Sequence, residues 1–89
     1  MDLFRSMQVF VATVQAGSMS SAAAQVGLSP AMVGQHVAAL EERLGTRLLN
    51  RTTRRQSLTD FGASYIEQCR DILDRVAIAD REAEALEVL

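Results

Sequence analysis

Residues 18–44 read SMSSAAAQVGLSPAMVGQHVAALEERL and carry the signals of two helices joined by a tight turn. Ser18 is a good N-cap, and Gly27 stands where a short first helix would end. Ser29 supplies the next N-cap, and Pro30 takes the first helical position, where its missing N–H costs nothing. The stretch therefore predicts a short helix, a turn and a longer helix that runs to residue 44.

Apolar residues at intervals of three and four give each predicted helix one inward face. The same spacing occurs over residues 3–16, which predicts an earlier helix that ends at Gly17. The inward sets are Leu3, Met7, Phe10, Val11 and Val14 in the first helix, Ala22, Ala23 and Val26 in the second, and Val33, Val37, Leu40 and Leu44 in the third. Small alanines in the second helix allow close helix crossing.

Residues 47–58 predict a small hairpin, or wing. Leu49 and Leu58 are suitable inward residues for two short strands, and the stretch between them is polar and basic. The segment contains no Asn-Gly or Asp-Gly pair, so the prediction rests on this apolar and polar pattern rather than on a turn signal.

A long helix is predicted over residues 60–89. Thr59 is its N-cap, and Asp60 lies in the first turn, where the helix dipole favours a negative charge. A heptad-like seam follows, and it either packs within one chain or pairs with a second chain; we expect the second, since a small domain offers such a long helix little partner surface. The seam residues are Tyr65, Cys69, Ile72, Val76, Ala79, Ala83 and Leu86.

Composition narrows the class of protein. The 89 residues suffice for one domain, and 48% of them are apolar, which favours a folded chain. A single Cys cannot form an internal disulfide, and with one His and one Cys we expect no metal site. No phosphate-binding glycine loop or carboxylate pair in a cleft points to an enzyme. Without a signal peptide or an apolar run of membrane length, we expect a cytoplasmic protein.

The net charge of −2 conceals two opposite halves. Residues 1–59 hold six arginines against three carboxylates, a net charge of +3. Residues 60–89 hold three arginines against eight carboxylates, a net charge of −5. This division indicates that only the first half meets a polyanion.

In order and spacing, six short motifs resemble the N-terminal domain of LysR-type transcriptional regulators across essentially the whole chain. The motifs are Phe10-Val11-Ala12, Gly17 to Ala23, Leu28-Ser29-Pro30, Leu40 to Leu49, and Arg51 to Arg55 with Leu58 to Gly62. The resemblance implies a mainly α fold, with a winged helix-turn-helix over residues 1–59 and a dimerisation helix over residues 60–89. The helix-turn-helix would span about 18–44 and the wing about 47–58.

The same resemblance implies double-stranded DNA and a second copy of the chain as partners, with RNA polymerase as a further partner of a full-length protein. Members carry a ligand-sensing domain after this point, so we expect a fragment of a longer regulator. No cofactor is expected in this chain, and a small-molecule effector would belong to the absent domain.

Recognition is expected from the outward side of the third helix, the starts of the second and third helices, and the wing. Gln35 is the best candidate for a base contact, since its amide can pair with adenine. The DNA-contacting set is Ser18, Ser20, Ser21, Ser29, Pro30, Ala31, Met32, Gly34, Gln35, Ala38, Arg51, Thr52, Thr53, Arg54 and Arg55.

Three residues of the third helix depart from the family pattern. Gly34 and Gln35 stand where Ser and Arg are common, which predicts weaker DNA affinity from this helix and a larger share from the wing. His36 stands where Gln is frequent, and we expect it to be a structural residue with a hydrogen-bond partner. The losses at positions 34 and 35 and the negative net charge support one alternative, a winged-helix protein-interaction domain that does not bind DNA.

Overall fold

The protein folds into four helices and a two-stranded antiparallel sheet, seen in a computed structural model that describes residues 1–50 and 56–88. The mainly helical winged fold followed by a long helix is therefore confirmed. In chain order the elements are α1 (Leu3–Ala16), α2 (Met19–Val26), α3 (Pro30–Leu44), β1 (Leu49–Asn50), β2 (Ser57–Leu58) and α4 (Asp60–Val88).

Side-chain caps begin these helices where the sequence predicts them. Ser18 Oγ accepts a hydrogen bond from the Ser21 backbone N–H at 3.1 Å, and Ser29 Oγ accepts one from the Met32 N–H at 3.2 Å. Thr59 Oγ1 accepts the N–H of Gly62 at the start of α4, at 2.9 Å. Each cap satisfies a donor that a helix end would otherwise leave unpaired.

The core consists of two clusters that meet along α1. One lies between α1, α3, α4 and β1, and the other lies between α1, α2 and α3. Their fully buried members include Phe10, Val37, Leu40, Leu48 and Leu49 in the first, and Val9, Ala22 and Val33 in the second. Each large side chain buried here contributes about 1.5–3 kcal/mol, so the two clusters fix the position of α3.

Helix α1 is buried on more of its circumference than one apolar stripe predicts. Ser6, Val9 and Thr13 are buried although they lie off the predicted face. The reason is that α1 contacts α2, α3 and α4, so several of its sides face protein. Thr13 Oγ1 meets the cost of burial by donating to the Val9 carbonyl at 2.8 Å.

The structure shows the paired strands at the base of the predicted hairpin. Leu49 pairs with Leu58 and Asn50 with Ser57 in antiparallel register, and Leu49 is buried as expected. The Leu48 side chain is buried as well, which the sequence analysis did not anticipate. The connecting residues 51–55, which carry all five predicted wing contacts, lie outside the described residues.

The assignment of Cys69 to a dimer seam is wrong. Its side chain is fully buried within its own chain, between Ile66 and the half-buried Leu73 on the face of α4 that packs against the core. A residue without exposed surface has none to bury against a second chain. Burial also raises the pKa of the Cys69 thiol, as expected for a packing residue.

The rest of the predicted seam lies beside that packed face. Tyr65 is half-buried, with its ring 6.1 Å from Phe10 and 5.8 Å from Phe61. Beyond it the remaining five seam residues are exposed, and we call them the α4 stripe: Ile72, Val76, Ala79, Ala83 and Leu86. Among the described residues, no helix combines the length and the apolar character needed to cross a membrane.

Candidate nucleic-acid interface

Helix α3 presents an uncovered face opposite its buried one. Val33, Val37 and Leu40 pack into the core. On the outward side four side chains are exposed, and we call them the α3 face: Ala31, Met32, Gln35 and Ala38. None of the four is charged, and Met32 keeps 45% of its surface exposed. The face is therefore free to lie against another molecule.

Gly34 lies at the edge of this face and is half-buried. A Cβ built on it would have the Met19 Sδ atom as its nearest neighbour, at 3.6 Å, which is an ordinary van der Waals distance. Gly34 thus brings no close backbone approach inside this chain. Its Cβ position faces Met19 of α2, so the glycine leaves space at the edge of the α3 face that borders α2.

Further predicted contact residues lie at the starts of α2 and α3. Ser20, Ser21, Ser29 and Pro30 are exposed, and Ser18 is half-buried. Ser18 Oγ also donates to Ser21 Oγ at 3.0 Å, in addition to its capping bond. Backbone N–H groups and hydroxyls at helix starts are suited to phosphate oxygens.

His36 is a structural residue, as the sequence predicts. The side chain is 8% exposed, and its Nδ1 lies 2.8 Å from Ser6 Oγ on α1. Burial lowers the pKa of His36 below its usual value, and the positive charge of Arg5 lowers it further, with Asp2 acting in the opposite direction. The lowered pKa favours the neutral imidazole at neutral pH, and the contact with Ser6 joins α3 to α1.

Hydrogen bonds hold the base of the wing to α3 and to α1. Glu41 Oε2 on α3 accepts hydrogen bonds from the N–H groups of Leu48 at 2.8 Å and Leu49 at 3.3 Å. Gln56 Nε2 donates to the Thr13 carbonyl on α1 at 3.2 Å. Neither Glu41 nor Gln56 is predictable from a local motif, because each bonds to backbone groups of another element.

The arrangement is suited to binding a surface. The described residues contain no group of three or more His, Cys, Asp or Glu side chains that could hold a metal ion. The candidate interface combines the exposed α3 face, two helix starts and the base of a basic hairpin. Such a combination can enter a groove and contact its walls.

Comparison with known proteins gives one family. Residues 4–63 match the family described as bacterial regulatory helix-turn-helix protein, lysR family. The HTH-type transcriptional regulator CrgA of Neisseria meningitidis is 45% identical over 80 residues, which cover 90% of this chain and 27% of CrgA. An HTH-type transcriptional repressor of Pseudomonas aeruginosa is 47% identical over 76 residues, or 85% of this chain and 24% of the repressor. The chain thus spans about a quarter of these relatives.

Solved structures of similar fold include complexes with DNA. The CbnR_DBD–DNA complex has a TM-score of 0.86 and 32% sequence identity, and the match covers 97% of this chain and 98% of that one. The complex of BenM_DBD with catB site 1 DNA has a TM-score of 0.89 at 27% identity, covering 97% and 91% of the two chains.

Proposed function

Because this chain belongs to the lysR family of bacterial regulatory helix-turn-helix proteins, we propose that it is the sequence-specific DNA-binding part of a longer transcription regulator. Residues 1–59 would be the unit that binds double-stranded DNA, and residues 60–89 the helix that pairs two copies. Relatives that the chain resembles are transcriptional regulators, and an enzymatic activity is not proposed.

The uncovered α3 face is the observation that carries the proposal. A helix fits the major groove of B-DNA, where each base pair presents a distinct pattern of donors and acceptors. Gln35 is an exposed residue at the centre of that face, and its amide would pair with adenine N6 and N7. Ala31, Met32 and Ala38 would pack against thymine methyl groups.

Affinity would come from groups around this face. The serines at positions 18, 20, 21 and 29, with the free backbone N–H groups at the starts of α2 and α3, would contact phosphates beside the groove. Pro30 and Gly34 would lie against the DNA without donating a hydrogen bond. Arg51, Thr52, Thr53, Arg54 and Arg55 would contact the backbone or the minor groove from the wing. Since Gln35 is uncharged, the wing would supply most of the electrostatic attraction.

Two copies would pair through the α4 stripe. Its aliphatic residues remain exposed in the single chain, with Ile72 at 41%, Val76 at 37% and Leu86 at 71%. Ala79 and Ala83 between them would let two helices approach closely, and Tyr65 would lie at the edge of the contact. A dimer places two reading helices on one duplex, which raises the effective concentration of the second.

Other partners belong to the longer protein. We propose that this chain needs no cofactor, that a small-molecule effector would act on the part of the relatives that the chain does not span, and that RNA polymerase is a partner of the complete regulator. Its place would be the cytoplasm, where a bacterial chromosome lies.

Selection of bound sequences from a random pool of duplexes tests this proposal. An inverted repeat in the output is the expected result, and no enrichment over the starting pool would refute it. A salt titration separates the alternative: binding to phosphates weakens linearly on a plot of log affinity against log salt. A protein-interaction domain, which the net charge of −2 favours, would show no binding to titrate.

A further inference from the structure

Glu41 is an acidic residue on α3, the helix proposed to read DNA. Glu41 is one of only three carboxylates in residues 1–59, and it follows the proposed base-reading residue Gln35 by six positions on the same helix. Electrostatics alone predicts that a carboxylate near a polyanion lowers affinity for it. The contacts of Glu41 show a different role.

Glu41 fixes the whole turn between α3 and β1. Its backbone carbonyl accepts the N–H groups of Gly45 at 2.9 Å and Thr46 at 3.2 Å. Its side-chain Oε2 then accepts the N–H groups of Leu48 at 2.8 Å and Leu49 at 3.3 Å. Four backbone donors over five residues therefore end on this single residue.

The two side-chain bonds locate the hairpin relative to α3. Leu48 and Leu49 are fully buried, so their backbone cannot move without disturbing the core. Leu49 pairs with Leu58 in β2, and the Thr59 N–H donates to the Leu48 carbonyl at 3.0 Å. Hydrogen bonds to a charged acceptor are stronger than neutral ones. Glu41 thus fixes Leu48 and Leu49, at the base of the hairpin, relative to α3.

We propose that Glu41 is a positioning residue for DNA binding, which holds the wing at the angle to α3 that lets both meet one duplex. This inference rests on the proposed function, since it concerns how that DNA surface is assembled. It predicts that the reach of the side chain matters more than its charge. The two bonds from Leu48 and Leu49 end on one oxygen, so an amide oxygen at the same distance can accept both.

A pair of substitutions separates reach from charge. Glu41→Asp keeps the charge but shortens the side chain by one bond, about 1.5 Å, which breaks both contacts. Glu41→Gln keeps the reach and removes the charge. We expect Glu41→Asp to weaken binding to a duplex recovered by the selection about tenfold. Glu41→Gln should weaken it less, by about threefold, since the amide oxygen keeps both bonds but is a weaker acceptor than the carboxylate. Glu42→Gln, which removes the same charge from the exposed neighbour, is the control.

Simple electrostatics gives the opposite order, with Glu41→Gln binding more tightly and Glu41→Asp unchanged; that result would overturn the proposal. A readout without DNA keeps the inference separate from the proposed function. In the free 89-residue chain, NMR order parameters of the Asn50 and Ser57 N–H groups should fall in Glu41→Asp and not in Glu42→Gln. Unchanged order parameters would reject the positioning role even if the chain binds DNA.

A coupling measurement completes the test. If Glu41 acts through the wing, the effects of Glu41→Asp and Arg54→Ala on DNA affinity should fall well short of additive, whereas Glu41→Asp and Gln35→Ala should add. Full additivity with Arg54→Ala would mean that Glu41 does not act through the wing. If the parent chain binds no DNA, the proposed function fails, and the order parameters alone decide whether Glu41 holds the hairpin.

Discussion

Helices α3 and α4 both leave a face uncovered, but the charges around the two faces differ in sign. The α3 face holds no charged side chain and belongs to the half of the chain with a net charge of +3. The α4 stripe is aliphatic and belongs to the half with a net charge of −5. The α3 face therefore admits a polyanion, whereas the α4 stripe repels one and suits an apolar partner.

The two helices are also held differently. Helix α3 is fixed along its length, by the core on one side, by His36 at Ser6, and by Glu41 at the wing. Helix α4 packs on the core through Ile66, Cys69 and Leu73, and every described side chain after residue 78 is exposed. A fixed helix suits the reading of bases, and a protruding one suits pairing.

The largest expected effect is on pairing. Ile72→Asp should raise the dimer dissociation constant at least about 100-fold, because a carboxylate in an apolar contact loses its hydration without gaining a partner. Sedimentation equilibrium measures it. Ala77→Asp, an equal charge change on an exposed position of α4 off the stripe, is the matched control. A dimer that survives Ile72→Asp would show that the stripe is not the contact.

The next prediction concerns stability, which substitutions at Gly62 of α4 and Gly34 of α3 should change in opposite directions. A Cβ on Gly62 would collide with the Leu48 carbonyl oxygen and lie 3.0 Å from its carbon. Gly62→Ala should therefore lower the free energy of unfolding by about 3 kcal/mol, since backbone must shift. Gly34→Ala, with only an ordinary contact to Met19, should raise it by up to about 1 kcal/mol through helix propensity. Urea denaturation of the two variants should give opposite signs; equal signs would contradict these contacts.

A smaller effect concerns base reading. Gln35→Ala should lose discrimination at one base pair, by about 1–3 kcal/mol, because the amide that would pair with adenine is gone. Binding of a panel of single-site duplex variants measures this. Arg54→Ala is the comparison, since it should weaken every duplex alike and flatten the salt dependence. An equal loss of affinity for all duplexes in Gln35→Ala would show that Gln35 does not read a base.

The smallest effect lies on the buried side of α3. Since the pKa of His36 is lowered in the folded chain, the unfolded chain binds a proton more readily. Stability from this residue is complete above the unfolded pKa of about 6.5 and declines as pH falls toward the folded value. Unfolding curves between pH 7.5 and pH 5 should show this decline in the parent and less of it in His36→Gln. If the free energy of unfolding changed equally with pH in both chains, the group that takes up the proton would not be His36.

Local signals were sufficient for the elements themselves. Ser18, Ser29 and Thr59 each cap a helix at the position that the sequence predicts, because capping involves backbone within three residues. The outward position of Gln35 also follows from helix periodicity, once Val33 and Val37 are known to face the core. Whether these outward residues bind DNA stays a prediction.

Contacts between distant parts of the chain were not predictable in the same way. The sequence offers α4 two apolar faces, one through Leu73 and one through Ile72, about 100° apart. Which of them meets the core depends on how α1 and the hairpin pack against α4. The sequence pattern therefore assigned Cys69 to the face of Ile72, whereas it lies on the core-facing side with Leu73. Glu41 and Gln56 were missed for a related reason, since their partners lie on elements whose arrangement no spacing in the sequence encodes.

The most direct test of the central claim is an NMR map of amide chemical-shift changes when the chain is titrated with a duplex from the selection. The account predicts large changes over residues 29–38 of the α3 start and face, and none along the α4 stripe. Changes centred on Ile72 and Val76, with the region around Gln35 unaffected, would contradict it.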